Sequence, residues 1–332
     1  MLLAGDIGGT KTVLAVFSQS EGERAPLAER TYPSGAYDSL EAIASDFLAQ
    51  TGFQVEQGVF GVAGPVVQGR AHITNLPWIL DERELAHALG LNSARLLNDL
   101  EAIAYSVSIL EPGDLHTLNA GQAVTHGTRA VIAPGTGLGE AYLTWAGWHY
   151  DPHPSEGGHC DFAPRDQREI ELLQYLLGKY DHVSYERVCS GLGIPNLYYF
   201  LRDTGHAPEP PWLAARLAAA SDPTPEIFAG AMHPTDPSPL CIQTLELFAG
   251  ILGGEAGNLA LKVLATGGIY IGGGIPPRML PYLEQPLFLE NFRDKGRFSD
   301  LLANVPIHVI LNPKAALLGA AHAGLEQAPV GY

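Results

Sequence analysis

The sequence predicts an α/β protein of two similar domains facing each other. Three observations carry this expectation. At 332 residues the chain exceeds a comfortable single core, so two domains are expected, each burying most of its apolar surface. Apolar strands alternate with segments of helical spacing through the first hundred residues. One unit then partly recurs: an apolar strand enters a Gly/Thr turn and leaves as a second strand, first over residues 2–17 and again over 131–145.

Residues 2–5 and 13–17 read as strands around the turn Asp6-Ile7-Gly8-Gly9-Thr10, with a third strand at 27–32, so the sheet opens on a hairpin. Leu40, Ile43, Phe47 and Leu48 give residues 38–50 helical spacing, and 57–62 returns to strand. A second helix is predicted at 82–89 and a strand at 94–97. The polar pair Asn98-Asp99 ends that strand, and a helical pattern at 100–110 follows at once. This order, βββαβαβα, resembles a ribonuclease H-like unit. After Trp148 the pattern turns helical, at 166–177, 185–190, 196–203, 211–220 and 240–264, with proline-marked loops between. Residues 268–271 form a buried strand running into Gly272-Gly273-Gly274, and 305–311 form another. Pro313 opens a last helix, 314–325, expected to return to the first domain.

Composition, 46% hydrophobic and 17% charged, is that of an ordinary globule. A net charge of −17, with 19 basic residues against 36 acidic ones, argues against nucleic acid or an anionic membrane as the main partner. A phosphate ligand would have to be bound locally, by backbone amides and a divalent cation. Cys160, Cys189 and Cys241 are odd in number and lack C-x-x-C spacing, which speaks for neither a disulfide framework nor structural zinc. Met1-Leu2-Leu3-Ala4 runs straight into Gly5-Asp6 without a basic n-region, so no secretory signal is expected. No apolar run reaches the ~20 residues of a membrane span. A soluble cytoplasmic protein in a reducing compartment is expected.

Gly5-Asp6-Ile7-Gly8-Gly9-Thr10-Lys11-Thr12 nearly satisfies the Walker pattern G-x-x-x-x-G-K-[ST], with Thr10 where the second Gly should stand. A true P-loop opens a helix, whereas Val13-Leu14-Ala15-Val16-Phe17 has the character of a strand. The turn therefore offers glycine amides and the Thr10 hydroxyl to phosphate from a hairpin, and Asp6 can hold Mg²⁺ directly or through water. Taken alone, a Gly-Gly turn serves structure as readily as phosphate binding. Gly135-Thr136-Gly137-Leu138-Gly139 is G-x-G-x-G rather than the dinucleotide fingerprint, and it too precedes a strand. Two such hairpins together favour phosphate contact. Gly272-Gly273-Gly274 lets a flat base or ribose approach the backbone, or marks a crowded strand-to-helix turn.

Glu156-Gly157-Gly158-His159, in a loop after the polar run 151–155, can converge a carboxylate and an imidazole on vicinal hydroxyls. It reads equally as a capping and turn cluster. Glu186 falls in the first turn of a helix, where acids are common for the dipole alone. Asn98-Asp99 also suits a helix N-cap, and its company is what favours catalysis.

With these residues in view, the chain resembles the bacterial glucokinase family, within the hexokinase and actin-like ATPase superfamily. The likeness runs through Gly5 to Thr10, Thr74-Asn75, Leu97-Asn98-Asp99, Gly135 to Gly139, Glu156-Gly157-Gly158-His159 and Glu186-Arg187-Val188-Cys189-Ser190-Gly191. It continues through Gly273-Gly274-Ile275, Asp294-Lys295-Gly296-Arg297-Phe298 and Leu317-Leu318-Gly319-Ala320-Ala321-His322. The resemblance implies two ribonuclease H-like domains flanking a cleft, a small one at 1–110 plus 313–332 and a large one at 111–312, closing over the sugar. It implies Asp99 as general base toward the 6-hydroxyl of glucose, and Asn98, Glu156, His159 and Glu186 as the hydroxyl-binding set. Gly5, Asp6, Ile7, Gly8, Gly9 and Thr10 with Gly135, Thr136 and Gly137 become contacts to the phosphates of ATP, and Gly273 and Gly274 meet the adenosine. Mg²⁺ and a homodimer are further implications. A kinase for another hexose or an amino sugar, or a non-catalytic sugar-sensing protein, is the alternative.

Two departures stand out. Thr10-Lys11-Thr12 looks like the turn of the related repressor/kinase group, yet that group's cysteine-rich zinc motif and the helix-turn-helix of its regulators are missing. Glu140 is an acid where smaller apolar residues are usual, expected to bear on donor affinity or choice.

Overall fold

The computed structural model describes residues 1–73 and 75–326. Thr74 of the Thr74-Asn75 motif, and the end of the small-domain segment from 327 on, lie outside the described residues. Contacts divide the chain into two units. The first comprises Met1–Leu115, Leu143–Pro154 and the segment from Asn312 onward; the second comprises His116–Tyr142 and Ser155–Leu311.

In the first unit, β1 (Leu2–Ile7), β2 (Lys11–Phe17) and β3 (Ala28–Pro33) form an antiparallel ribbon. β1 then pairs in parallel with β4 (Gln57–Val62), and β4 with β8 (Ser93–Asn98), giving the order β3-β2-β1-β4-β8. Side chains alternate strictly across this sheet. Leu3, Ile7, Leu14, Val16, Phe60 and Val62 face one apolar layer that holds α1 (Leu40–Thr51) and α2 (Glu82–Leu89). Leu2, Ala4, Val13, Ala15, Phe17 and Val59 face the other, which holds α3 (Asp99–Ser106) and α12 (Ala315–Leu325).

The helices start where the sequence supplies caps. The Ser39 hydroxyl accepts from Ala42 N–H at the head of α1, and Asp81 accepts from Arg83 and Glu84 N–H at the head of α2. The structure also inserts a small sheet between β4 and α2, made of β5 (Val66–Val67), β6 (Arg70–His72) and β7 (Ile79–Asp81). Strands of two or three residues carry no period, so the sequence did not announce them.

The second sheet, in order β12-β11-β10-β13-β14-β9, carries the second unit, and the border between units falls inside β9, β11 and β12. Its strands are β9 (Leu115–Asn119), β10 (Arg129–Pro134), β11 (Leu138–Trp145), β12 (Tyr150–Ser155), β13 (Gly268–Ile271) and β14 (Ile307–Ile310). The polar run 151–155, to which the sequence assigned no element, is strand β12. Its two prolines lack N–H donors, and at a sheet edge those donors are not required.

Helices α4 (Gln167–Leu177), α5 (Gly193–Asp203), α6 (Pro211–Ala219) and α8 (Pro239–Val263) stand close to the expected spans, and α7 (Thr224–Ala231) is additional. Residues 185–190 give only one 3₁₀ turn, Tyr185–Arg187, in place of a helix. Short helices α9 (Leu280–Leu283), α10 (Pro286–Arg293) and α11 (Ser299–Ala303) were not foreseen either. One apolar core runs through this unit, with α8 contributing Leu245, Phe248, Leu252, Ala256 and Leu259. Among the described residues no helix is long and apolar enough to cross a membrane.

Candidate active site

The first unit gathers its polar site residues on one sheet edge. Parallel pairing sets Ile7 beside Val62 and Val62 beside Asn98, so β1, β4 and β8 end together. That C-terminal edge is where α/β sheets present ligands. The residues after β1 form a tight turn closed by Gly8 N–H donating to Lys11 O at 3.0 Å, and β2 leaves as a strand. The expected hairpin, not a P-loop, is what forms. Ser34 locks it: its hydroxyl donates to Gly8 O at 2.7 Å and lies 3.0 Å from Thr12 Oγ1, while its N–H donates to Thr10 O at 3.0 Å. No spacing rule pointed to Ser34, which acts across 26 residues of sequence.

Asn98 and Asp99 divide the roles that the sequence left joined. Asn98 is the N-cap of α3, its Oδ1 accepting from Leu100 N–H at 2.9 Å while its Nδ2 donates to Gly64 O at 3.0 Å. Asp99 is the first helical residue, and its Oδ1 shares the Leu100 N–H at 2.9 Å. Of the pair that suited an N-cap, Asn98 supplies it, which fixes where the Asp99 carboxyl group begins.

Asp6 lies at this same edge, two strand spacings from Asn98, or roughly 10 Å. Burial pushes its carboxyl up to about 6, Lys11 opposes that, and the charge of Asp99 adds to it. A carboxylate desolvated next to a second acid favours a cation between itself and a polyphosphate. Among the described residues no cluster of three or more His, Cys, Asp or Glu is placed to hold a metal. Asp6 thus fits Mg²⁺ whose other ligands would come from phosphate and water, the usual manner of that ion at nucleotides.

The second unit gathers the remaining predicted residues around the ends of β10 and β13, which run in parallel with Ile132 beside Ile271. Gly135 N–H donates to Gly137 O at 2.9 Å, making the turn between β10 and β11. Gly191 N–H donates to Gly135 O at 2.8 Å and Leu192 N–H to Thr136 O at 3.2 Å, so the segment after the Tyr185–Arg187 turn lies along it. Glu186 Oε2 accepts from Leu138 N–H at 3.0 Å. Glu186 stands in a single 3₁₀ turn, so no helix dipole accounts for it, and this long-range bond ties it to β11.

Gly273 has φ of +89°, and a β-carbon there would stand 2.9 Å from the Pro134 carbonyl carbon. Only glycine lets the two turns approach this closely. The Gly157–His159 segment is one 3₁₀ turn, with Glu156 O accepting from His159 N–H at 3.0 Å. Glu156 and His159 keep their side chains in solvent, 78% and 57% exposed, with Glu156 Oε2 3.9 Å from His159 Nε2. Both are available to a polar ligand. Glu140 turns its carboxyl group into the protein against Gly157.

Comparison with known proteins agrees in extent with this layout. A family model described as Glucokinase matches residues 3–327. A glucokinase of Trichormus variabilis is 44% identical, covering 97% of this chain and 98% of its own. The crystal structure of a glucokinase from an Antarctic psychrotroph superposes with a TM-score of 0.82 at 32% identity, over 97% of this chain and 98% of that one. A glucokinase of the ROK family from Streptomyces griseus, crystallised with glucose and AMPPNP, shares the fold at a TM-score of 0.62 and 21% identity, over 97% and 98% of the two chains.

Proposed function

The chain belongs to the glucokinase family, and on that premise we propose that it transfers the γ-phosphoryl group of ATP to the 6-hydroxyl of D-glucose, giving glucose 6-phosphate and ADP, with Asp99 as general base. The observation that carries the assignment is the seat of Asp99, at the head of α3 on the edge where β1, β4 and β8 end, with Asp6 on the same edge. Phosphoryl transfer asks a protein mainly for positioning and charge stabilisation.

Asp99 accepts the 6-hydroxyl proton as that oxygen meets the γ-phosphorus, and Asn98 holds the base in place through the α3 cap. Asn98, Glu156, His159 and Glu186 bind the sugar hydroxyls, with one Glu186 oxygen also committed to Leu138 N–H. Backbone amides of the Gly5–Thr10 and Gly135–Gly137 turns donate to phosphate oxygens, and Gly273-Gly274 receives the adenosine. When bound, Mg²⁺ neutralises charge on the β- and γ-phosphate oxygens, and Asp6 is the residue to hold it, directly or through water. We assign the functional domains as 1–110 plus 313–332 and 111–312, and the working protein as a cytoplasmic homodimer.

The test is sugar-dependent ADP release with ATP over a panel of hexoses and amino sugars, for the native chain and Asp99→Asn. Glucose should lead the panel, and Asp99→Asn should bind glucose yet lose about a thousandfold in kcat. Native-like turnover in the variant refutes the base. Preference for another sugar refutes the substrate.

A further inference from the structure

The acid on β11 that the family reading leaves unused lies beneath the Gly157–His159 turn. Glu140 is 1% exposed, and its Oε1 is buried without a hydrogen-bond partner. Its Oε2 points at Gly157: a β-carbon on that glycine would stand 2.8 Å from Glu140 Cδ and closer still to Oε2. Gly157 N–H is itself occupied, donating to Ser155 Oγ at 3.0 Å. The turn therefore rests on the Glu140 carboxyl group.

The groups that face Glu140 define its charge. From α8 comes Glu255, fully buried, with Oε1 3.0 Å from Lys262 Nζ and Oε2 accepting from Asn258 Nδ2 at 2.8 Å. Asn258 also donates to the Tyr185 hydroxyl at 2.9 Å, and the buried Cys189 thiol lies in the field of both acids. Lys262 is committed to Glu255. Burial first, and then the Glu255 charge, push the Glu140 carboxyl up to about 8 against the weaker pull of Lys262. At neutral pH it is a neutral acid packed under a turn.

We propose that Glu140 is a positioning residue for sugar binding, its carboxyl group supporting the Gly157-Gly158 turn that carries Glu156 on one side and His159 on the other. This rests on the reading that Glu156 and His159 hold the sugar. The neutral form supports the turn. An ionised Glu140 has no partner at Oε1 and faces the charge of Glu255, so it must draw water or move, and the turn moves with it. Sugar affinity then depends on the state of a group that does not touch the sugar, and the chemical step does not.

Glucose Kd by calorimetry, with KM and kcat alongside, is to be measured from pH 6.5 to 9.5 for the native chain, Glu140→Gln, Glu140→Ala and Glu156→Ala. The native Kd should hold to about pH 7.5 and climb about threefold or more by pH 9, with kcat following no such rise. Glu140→Gln keeps shape and neutrality, so its Kd should match the native value at pH 7 and stay level to pH 9. Glu140→Ala should bind glucose about fivefold or more weakly at every pH, because the turn loses its support. A Glu140→Gln profile that rises like the native one, or a native-like Glu140→Ala, overturns the role of Glu140 alone, provided Glu156→Ala binds glucose weakly. Native-like binding by Glu156→Ala overturns the assignment of this turn to the sugar, and the role of Glu140 with it.

Discussion

Replacing Gly319 with alanine sets two physical effects against each other, and the packing of α12 on α3 decides the sign. Alanine is the better helix former by about 1 kcal/mol, so propensity alone predicts a more stable protein. The structure predicts the reverse. A β-carbon on Gly319 would stand 2.7 Å from the Ala102 carbonyl carbon and 2.9 Å from Ser106 N, and nearer still to Ala102 O. Carbon atoms pack best at about 3.5–4.0 Å, so α12 and α3 must part by about 1 Å. A gap of that size forfeits about a quarter to a half of each contact's attraction along the shared stripe of Ala102, Leu317, Ala320 and Ala321. Overpacking of this kind costs about 1–3 kcal/mol, and the backbone neighbours here cannot rotate away, so we expect the upper end. At about 2–4 °C per kcal/mol, Tm should fall by about 6–12 °C. Because Asp99, the proposed base, heads α3, the same displacement moves it, and kcat should drop about tenfold or more. Thermal unfolding followed by circular dichroism, with steady-state kinetics on the folded fraction, checks both. An unchanged or raised Tm refutes the packing argument.

Two further outcomes follow from the same edges and turns. Asp6 titrates near 6 in the folded chain against 3.8 as a free group, so the folded state holds the extra proton between those values. Its contribution to stability is complete below pH 3.8 and gone above 6. Urea midpoints should then show Asp6→Asn gaining on the native chain between pH 4 and pH 7, by on the order of 2 kcal/mol, and an equal difference at both pH values contradicts the buried, desolvated carboxyl. Gly158→Ala places a β-carbon 3.0 Å from the Leu138 carbonyl carbon, which lifts the turn off β11. Glucose KM should rise about tenfold while kcat stays within about threefold, and an unchanged KM speaks against the turn as a sugar contact.

What the sequence revealed followed from periodicity and from residues next to one another in the chain. The β-branched, apolar run Val13 to Phe17 was enough to turn a near-Walker motif into a hairpin, and β2 is a strand. Asn98-Asp99 announced the end of β8 and the start of α3, because capping is a local transaction between a side chain and the next few amides. Ser34, Glu186 and Glu140 act instead across the fold. Ser34 ties a turn 26 residues away, Glu186 accepts from an amide 48 residues away, and Glu140 touches Gly157 only because β11 is folded under it. No period or spacing encodes such bonds. Strand β12 was hidden for a different reason: its Tyr-Asp-Pro-His-Pro-Ser composition is that of a loop, and only its place at a sheet edge makes it a strand.

The position of α12 in the chain bears on how the protein is born. The apolar face that Leu2, Ala4, Val13, Ala15, Phe17 and Val59 present is covered by Ala102 of α3 and by residues numbered 317 to 321. A ribosome adding about 5–20 residues per second takes roughly 10 to 40 s to travel from the end of α3 to α12. For that interval the five-stranded sheet has been made but one of its greasy sides has α3 alone to cover it. The nascent chain is then a natural client for chaperones, and truncations just before residue 315 should accumulate as insoluble or chaperone-bound material. A cell that makes this enzyme faster than it can shield that face should lose it to aggregation during synthesis, whatever the finished molecule's stability.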